Sequence, residues 1–308
     1  LGNLLPRPRR QRQMCIRARP AKTVPHPLQT VLEQGALQVL YQPIIALQSG
    51  TIDGHEALVM QQLPQGAEVP QAVLDAGQLA QLQTELELAS LGRALQGWGY
   101  PMASGRLQVN LSAQTLVALS EPKPFQRLEG LFFAHRVPPK RVVVAIGQHR
   151  KLQDLAALER CTTALQRLGC TMALDDVKAS QRSLDLWLRL KPALVKLDSR
   201  MTADLQQDPE KAKVLRTLSQ LAFKTGASLV AKAVDHAEDL RIVRDAGVHL
   251  AQGQFLGFAA PAIVETLNLR ARNVLAERWS APDPQSQPGE LVAAESGLQN
   301  LVGMRWFD

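Results

Sequence analysis

Eight short β-forming runs, separated by helical stretches that end on glycine, constrain this chain more than any other feature. The runs fall at residues 40–47, 55–60, 106–110, 141–146, 170–175, 193–197, 228–233 and 248–252. Between them Leu155, Leu158, Leu165 and Leu168 keep one helical face before Gly169, and Val214, Leu218, Leu221 and Ala222 do so before Gly226. Leu240 and Val243 repeat the pattern before Gly247. A strand, helix, glycine, strand rhythm forces parallel pairing with right-handed crossovers, and eight such units close as a barrel more readily than they form an open sheet. The first two runs break the rule. They flank Ser49-Gly50, a turn too short for a crossover, so one strand there must run antiparallel. The expected fold is α/β, a TIM-like (β/α)8 barrel with one antiparallel strand.

Proline sets the limits of that body. Pro6, Pro8, Pro20 and Pro25 interrupt the amino-terminal segment, and Pro282, Pro284 and Pro288 do the same near the other end. We expect a basic tail or linker over residues 1–26, the barrel over 27–279, and a linker with a carboxy-terminal tail over 280–308. In a chain of 308 residues with 45% hydrophobic content, that body can bury a large core. Most of the net charge of +7 belongs to the tail, where Arg7, Arg9, Arg10, Arg12, Arg17, Arg19 and Lys22 crowd together. With only 4% aromatics, none spaced for stacking on bases, DNA is not favoured as a partner. No apolar stretch is long enough for a transmembrane helix, and the arginine-rich start lacks a signal-peptide core, so a cytoplasmic protein is expected. Cys15, Cys161 and Cys170 have no metal-ligand spacing and suit a reducing compartment, the last two as packing residues. His26, His55, His135, His149, His236 and His249 likewise show no ligand spacing and are expected at the surface or in loops. The first residue, Leu1, hints at a piece of a longer polypeptide.

A polar tip closes most of the β-forming runs: His55-Glu56-Ala57-Leu58, Val109-Asn110-Leu111-Ser112, Leu174-Asp175-Asp176, Val195-Lys196-Leu197-Asp198 and Ala251-Gln252-Gly253. Polar groups at successive strand ends are how a parallel barrel gathers distant residues into one mouth. Together with Tyr41-Gln42-Pro43-Ile44, this ordered set resembles the successive signatures of the EAL domain, over nearly the whole body. That family comprises phosphodiesterases that hydrolyse cyclic di-GMP, along with degenerate members that act as receptors or protein-interaction modules. The resemblance implies a barrel of the EAL type. It also implies Glu56, Asn110, Asp175 and Asp176 as metal ligands, Lys196 as the group orienting water or phosphate, and Gln252 in a supporting position. Two-ion phosphodiester cleavage needs several oxygen ligands for hard cations such as magnesium or manganese.

Against the family pattern, several positions are changed. Ala145 and Gln148 stand where glutamates are usual, and the first of these is a metal ligand in the family. Lys232 replaces a glutamate serving the second metal or the attacking water, and Asp235 shortens another. An ammonium about 4 Å from a divalent ion is repelled by on the order of 8 kcal/mol at an effective dielectric near 20. The lysine is therefore expected to deprotonate, swing away or take the cation's place beside Asp175 or Asp176. Met60 stands where the family has a phosphate-gripping arginine, and Val177-Lys178-Ala179-Ser180-Gln181-Arg182 replaces a glycine-rich loop that couples metals to dimerisation.

These departures make the chain a degenerate EAL domain in this reading: a non-catalytic regulatory or protein-interaction module in cyclic-di-GMP signalling. Glu56, Lys196, Asp175 and Asp176 would be vestigial, and no cofactor is expected. The protein partner is unknown and a homodimer is left open. One alternative is a metal-independent cyclic-di-GMP receptor using Gln42, Glu56, Asn110, Asp175, Lys196, Lys232 and Gln252, helped by Lys178 or Arg182. Another is a weak phosphodiesterase requiring magnesium or manganese. Plainer roles also fit: Glu56 as a solvent-facing strand-end carboxylate, Asp175-Asp176 as a helix cap paired with a lysine, Asn110 as a cap near Ser112, and Gln252 satisfying backbone groups at the mouth.

Overall fold

In the computed structural model, residues 32, 35, 37–61, 76–99, 103–120, 123, 125–147 and 154–277 are described. Both expected tails, with His26, Cys15, Gln148 and His149, lie outside them. Eight strands close a barrel in sequence order: β1 (Leu37–Ala46), β2 (Thr51–Gln61), β3 (Arg106–Ser112), β4 (Val142–Gly147), β5 (Thr171–Val177), β6 (Leu194–Leu197), β7 (Ser228–Ala231) and β8 (Leu250–Ala251). The antiparallel strand is β1, which pairs antiparallel with β2 on one side and with β8 on the other; every other neighbouring pair is parallel.

Nine helices pack around it: α1 (Ala76–Gly97), α2 (Ala113–Leu119), α3 (Gln126–Ala134), α4 (Leu155–Leu168), α5 (Gln181–Leu190), α6 (Ser199–Thr202), α7 (Pro209–Thr225), α8 (Ala237–Asp245) and α9 (Leu269–Ala276), counted among the described residues. The glycines read from the sequence end them as expected. Gly169 caps α4 with φ +96° and Gly226 caps α7 with φ +70°, values that L side chains rarely adopt. At the opposite ends Asp154, Ser180 and Asp208 accept backbone N–H groups of α4, α5 and α7.

Two apolar regions hold the fold. The larger lies between barrel and helices and contains Trp98, Leu107, Leu116, Leu128, Ile146, Trp187, Leu218 and Leu240, all essentially buried. The smaller fills the barrel itself: Ile44, Val143, Ala145, Ala173, Leu194, Val230 and Leu250. Cys161 and Cys170 are buried thiols, as their spacing suggests. His55 departs from expectation. It is fully buried on β2, and its Nε2 donates to the Val264 carbonyl at 2.7 Å, tying the segment after β8 to the barrel wall. Alternation along a strand puts His55 and Glu56 on opposite faces, so one goes to the helix layer and the other to the interior. No helix among the described residues is long and apolar enough to cross a membrane.

Gly253, just past β8, shows why glycine follows Gln252. A Cβ there would lie 2.2 Å from the Val234 carbonyl oxygen and 2.3 Å from its nitrogen, both rigid backbone atoms. Gly130, inside α3, has nothing within 4 Å of such a Cβ. In chemical denaturation Gly253→Ala should lose about 1–3 kcal/mol through overpacking. Gly130→Ala should gain about 0.5–1 kcal/mol through helix propensity.

Candidate functional site at the barrel mouth

Strand parity builds the mouth. Residues two apart on a strand share a face, and so do register partners on parallel neighbours. At or just beyond the apolar floor, each strand therefore presents one inward position: Gln42 (β1), Glu56 (β2), Asn110 (β3), its register partner Ala145 (β4, itself part of the floor), Asp175 (β5), Lys196 (β6), Lys232 (just past β7) and Gln252 (just past β8). Seven are polar, and β4 contributes a methyl group.

Glu56 is the hub. Its Oε1 accepts from Asn110 Nδ2 at 2.8 Å and lies 2.8 Å from Lys196 Nζ; its Oε2 accepts from Gln252 Nε2 at 2.7 Å. Gln252 Nε2 also donates to Gln42 Oε1 at 2.8 Å, and Gln42 Nε2 donates to the Gly257 carbonyl at 3.1 Å. Lys196 is wholly buried, and its contact with Glu56 is an ion pair rather than an aligned hydrogen bond. Burial pushes the Glu56 carboxyl up, but the charge of Lys196 and the hydrogen bond from Asn110 outweigh it, so the group is held below the ordinary glutamate value.

A second centre lies at the end of β5. Lys232 Nζ donates to Asp175 Oδ1 at 2.8 Å and to Asp176 Oδ1 at 2.5 Å. Asp175 Oδ2 lies 4.0 Å from Lys196 Nζ, which links the two centres. Burial lowers the Lys232 ammonium, yet the field and hydrogen bonds of Asp175, then those of Asp176, raise it above the ordinary lysine value. The backbone is unusual on both sides of this bridge. Asp176 has φ +52° and Ala233 φ +55°, left-handed conformations that cost a non-glycine residue roughly 1–2 kcal/mol each. Asp176 lies where the β5–β6 register shifts, and its N–H donates to Asp175 Oδ1 at 2.7 Å. Thr202 Oγ1, from α6, donates to the Lys232 carbonyl.

Beside these, Asp198 gathers the loop residues. It caps α6, pairs with the Arg200 guanidinium at 3.0 Å and stands 3.7 Å from Lys178 Nζ. Lys178 comes from the segment after β5, so this contact joins the β5 and β6 loops. Asp235 accepts from the Gln254 N–H at 2.7 Å, joining the β7 and β8 loops. Met60, at the end of β2, is exposed.

Four plainer expectations are corrected by this geometry. Asp175 and Asp176 do not cap the following helix; Ser180 does. Asn110 is not the cap near Ser112, because Ser112 itself accepts from Thr115 N while Asn110 turns inward to Glu56. Glu56 does not face solvent; it is 5% exposed. Gln252 bonds side chains rather than backbone groups. Sequence reasoning also missed Glu87, on α1, whose Oε2 accepts from Ser112 N at 2.8 Å and so anchors the end of β3. A glutamate on a polar helix carries no signal of that contact.

The donor set is a poor match for a pair of divalent ions. Of the inward positions only Glu56 and Asp175 are carboxylates, each already matched by an ammonium, and Ala145 supplies no oxygen. Among the described residues no three His, Cys, Asp or Glu side chains converge as ligands would.

Comparison with known proteins supports the motif reading. The family model described as EAL domain matches residues 26–259. The chain is 28% identical over 238 residues to an uncharacterised protein of Azorhizobium caulinodans, aligning 74% of this chain with 32% of that one. It is also 28% identical to the cyclic di-GMP phosphodiesterase RocR of Pseudomonas aeruginosa, over 75% of this chain and 58% of that protein. Among solved structures, the FimX EAL domain of Pseudomonas aeruginosa bound to c-di-GMP superposes with a TM-score of 0.65 at 24% identity, covering 77% of this chain and 96% of that domain. The chain spans about a third of the length of the first curated relatives it matches, 32% and 33%.

Replacing Glu56 by Gln leaves buried Lys196 with only the more distant Asp175, at 4.0 Å and already bonded to Lys232, as counter-charge, and breaking a buried pair in this way costs about 3–5 kcal/mol. The sign with pH follows from the lowered carboxyl. Its stabilisation is fully present above the ordinary glutamate value and is lost as pH falls through the folded value. In denaturation, Glu56→Gln should thus be much less stable than the native chain at neutral pH, with the gap closing as the solution is acidified.

Proposed function

The chain belongs to the EAL domain family, and from that premise we propose that it is a non-catalytic regulatory module of cyclic-di-GMP signalling that acts through protein contacts. One observation carries the reading: the charges of the mouth are matched within the protein. Glu56 is paired with Lys196, Asp175 and Asp176 with Lys232, and Asp198 with Arg200 and Lys178. A site that assembles two divalent ions around a phosphate needs the opposite, an excess of carboxylate oxygens that the cations then neutralise. Ala145 removes one such oxygen and Lys232 supplies the charge that an ion would bring.

Protein contact is the favoured output because binding of a doubly charged dinucleotide would first have to break these pairs. A second reading, a metal-independent receptor, is supported by the likeness to a domain bound to c-di-GMP and by the amides of Gln42 and Gln252, which line the same mouth. In that reading the lysines exchange carboxylate partners for phosphate oxygens. Residual hydrolysis is the reading least supported by this donor set.

Two measurements separate the three. With excess manganese and a high concentration of the chain, cyclic di-GMP should remain intact; turnover that disappears in Glu56→Ala would instead establish a weak phosphodiesterase. Calorimetric titration with cyclic di-GMP, in magnesium and again in chelator, should give no saturable heat. Binding of equal strength in both buffers would make the chain a metal-independent receptor.

A further inference from the structure

We propose that Lys232 is a resident counter-cation: a tethered ammonium that holds the β5 end and the β7 end of the barrel together and thereby keeps divalent ions out. The inference deepens the reading of the mouth as metal-free and rests on it. Its first support is geometric. One nitrogen reaches two carboxylates on consecutive residues, Asp175 at 2.8 Å and Asp176 at 2.5 Å, while the opposite oxygen of Asp175 faces Lys196 at 4.0 Å. A monovalent donor therefore already holds one oxygen of each carboxylate that a cation at this end of the barrel would use.

The second support is independent and lies in the backbone. Asp176 and Ala233 both adopt the left-handed region without being glycine, one on each side of the bridge. Such conformations persist only where the surroundings over-determine them. In this conformation the Asp176 carboxylate, although still exposed, reaches Lys232. On the other strand, the Lys232 carbonyl is held by Thr202, which fixes where the side chain departs. The bridge is thus built from both strands, with a left-handed residue beside it on each.

If Lys232 is the cation, removing its charge should create a demand for one. In chelator, Lys232→Met should melt lower than the native chain, by roughly 5 °C for a domain of this size. Manganese, added at matched ionic strength, should restore most of that loss in the variant and leave the native chain unmoved. The free-ion electron spin resonance signal should report manganese affinity at least tenfold higher in Lys232→Met than in the native chain. Lys232→Arg, which keeps the charge, should behave like the native chain, and the double variant Asp175→Asn with Lys232→Met should lose the manganese response. Should Lys232→Met fail to fold, the same spin resonance titration on Lys232→Gln takes its place. The proposal is overturned if the uncharged variant melts as the native chain does in chelator, if it gains no manganese affinity, or if the native chain binds manganese equally well. Because no nucleotide enters these measurements, they stand apart from the hydrolysis and titration experiments that test the non-catalytic reading itself.

Discussion

Barrel closure with a two-residue side-chain period is the constraint on which everything else rests. Once β1 pairs with both β2 and β8, alternate residues of all eight strands must share one interior. That interior has an apolar floor and, above it, a polar tier to which every strand but β4 supplies a side chain. Lys196 and Glu56 could not be placed there singly, because an unpaired charge at such burial is far costlier than a pair. Their contact at 2.8 Å, with Asn110 and Gln252 completing the carboxylate's partners, makes the tier tolerable inside a packed barrel.

The same constraint explains which parts of the molecule were legible. Strand positions could be read because β-branched and leucine runs end in glycine-capped helices, and Gly169 and Gly226 stop α4 and α7 where a left-handed residue is needed. Membership of the mouth was legible too, since a polar residue closing an apolar run has only one place to go in a closed barrel. Partner choice was not. Whether Asn110 capped a helix or reached Glu56 depended on a one-residue difference in facing, which only the register of β3 against β2 and β4 decides. His55 illustrates the same point from the other face: adjacent to an inward glutamate, it had to enter the helix layer, and its partner, Val264, is more than two hundred residues away in sequence. Glu87 and Thr202 were invisible for a like reason, because long-range contacts to backbone groups leave no local pattern.

Loop contacts give the mouth a character beyond that of its strands. Lys178 and Asp198 join the loops after β5 and β6, while Asp235 joins the loops after β7 and β8 through the Gln254 amide. Lys232 and Asp175–Asp176 then tie the two pairs together. Four successive strand or loop ends, from β5 to β8, are thereby linked by side-chain contacts within the chain. The glycine-free segment from Val177 to Arg182 is consistent with such an arrangement: a loop fixed by Lys178 and by the Ser180 cap has little use for the backbone freedom of glycine.

Charge arithmetic finally bears on the partner proposed for this face. The eight inward positions hold two carboxylates and two ammonium groups, so the tier is neutral, and the residues outside it largely repeat the balance. A neutral, internally bonded floor neither concentrates cations nor draws an anion strongly, and steering by long-range field is correspondingly weak. In the proposed reading, recognition at such a surface would come from shape and from contacts beyond the tier, where Met60 at the end of β2 is exposed. In the reading proposed above, Ala145 and Lys232 act in the same direction: the methyl group offers a cation no oxygen, and the ammonium brings to Asp175 and Asp176 the charge that a cation would otherwise supply.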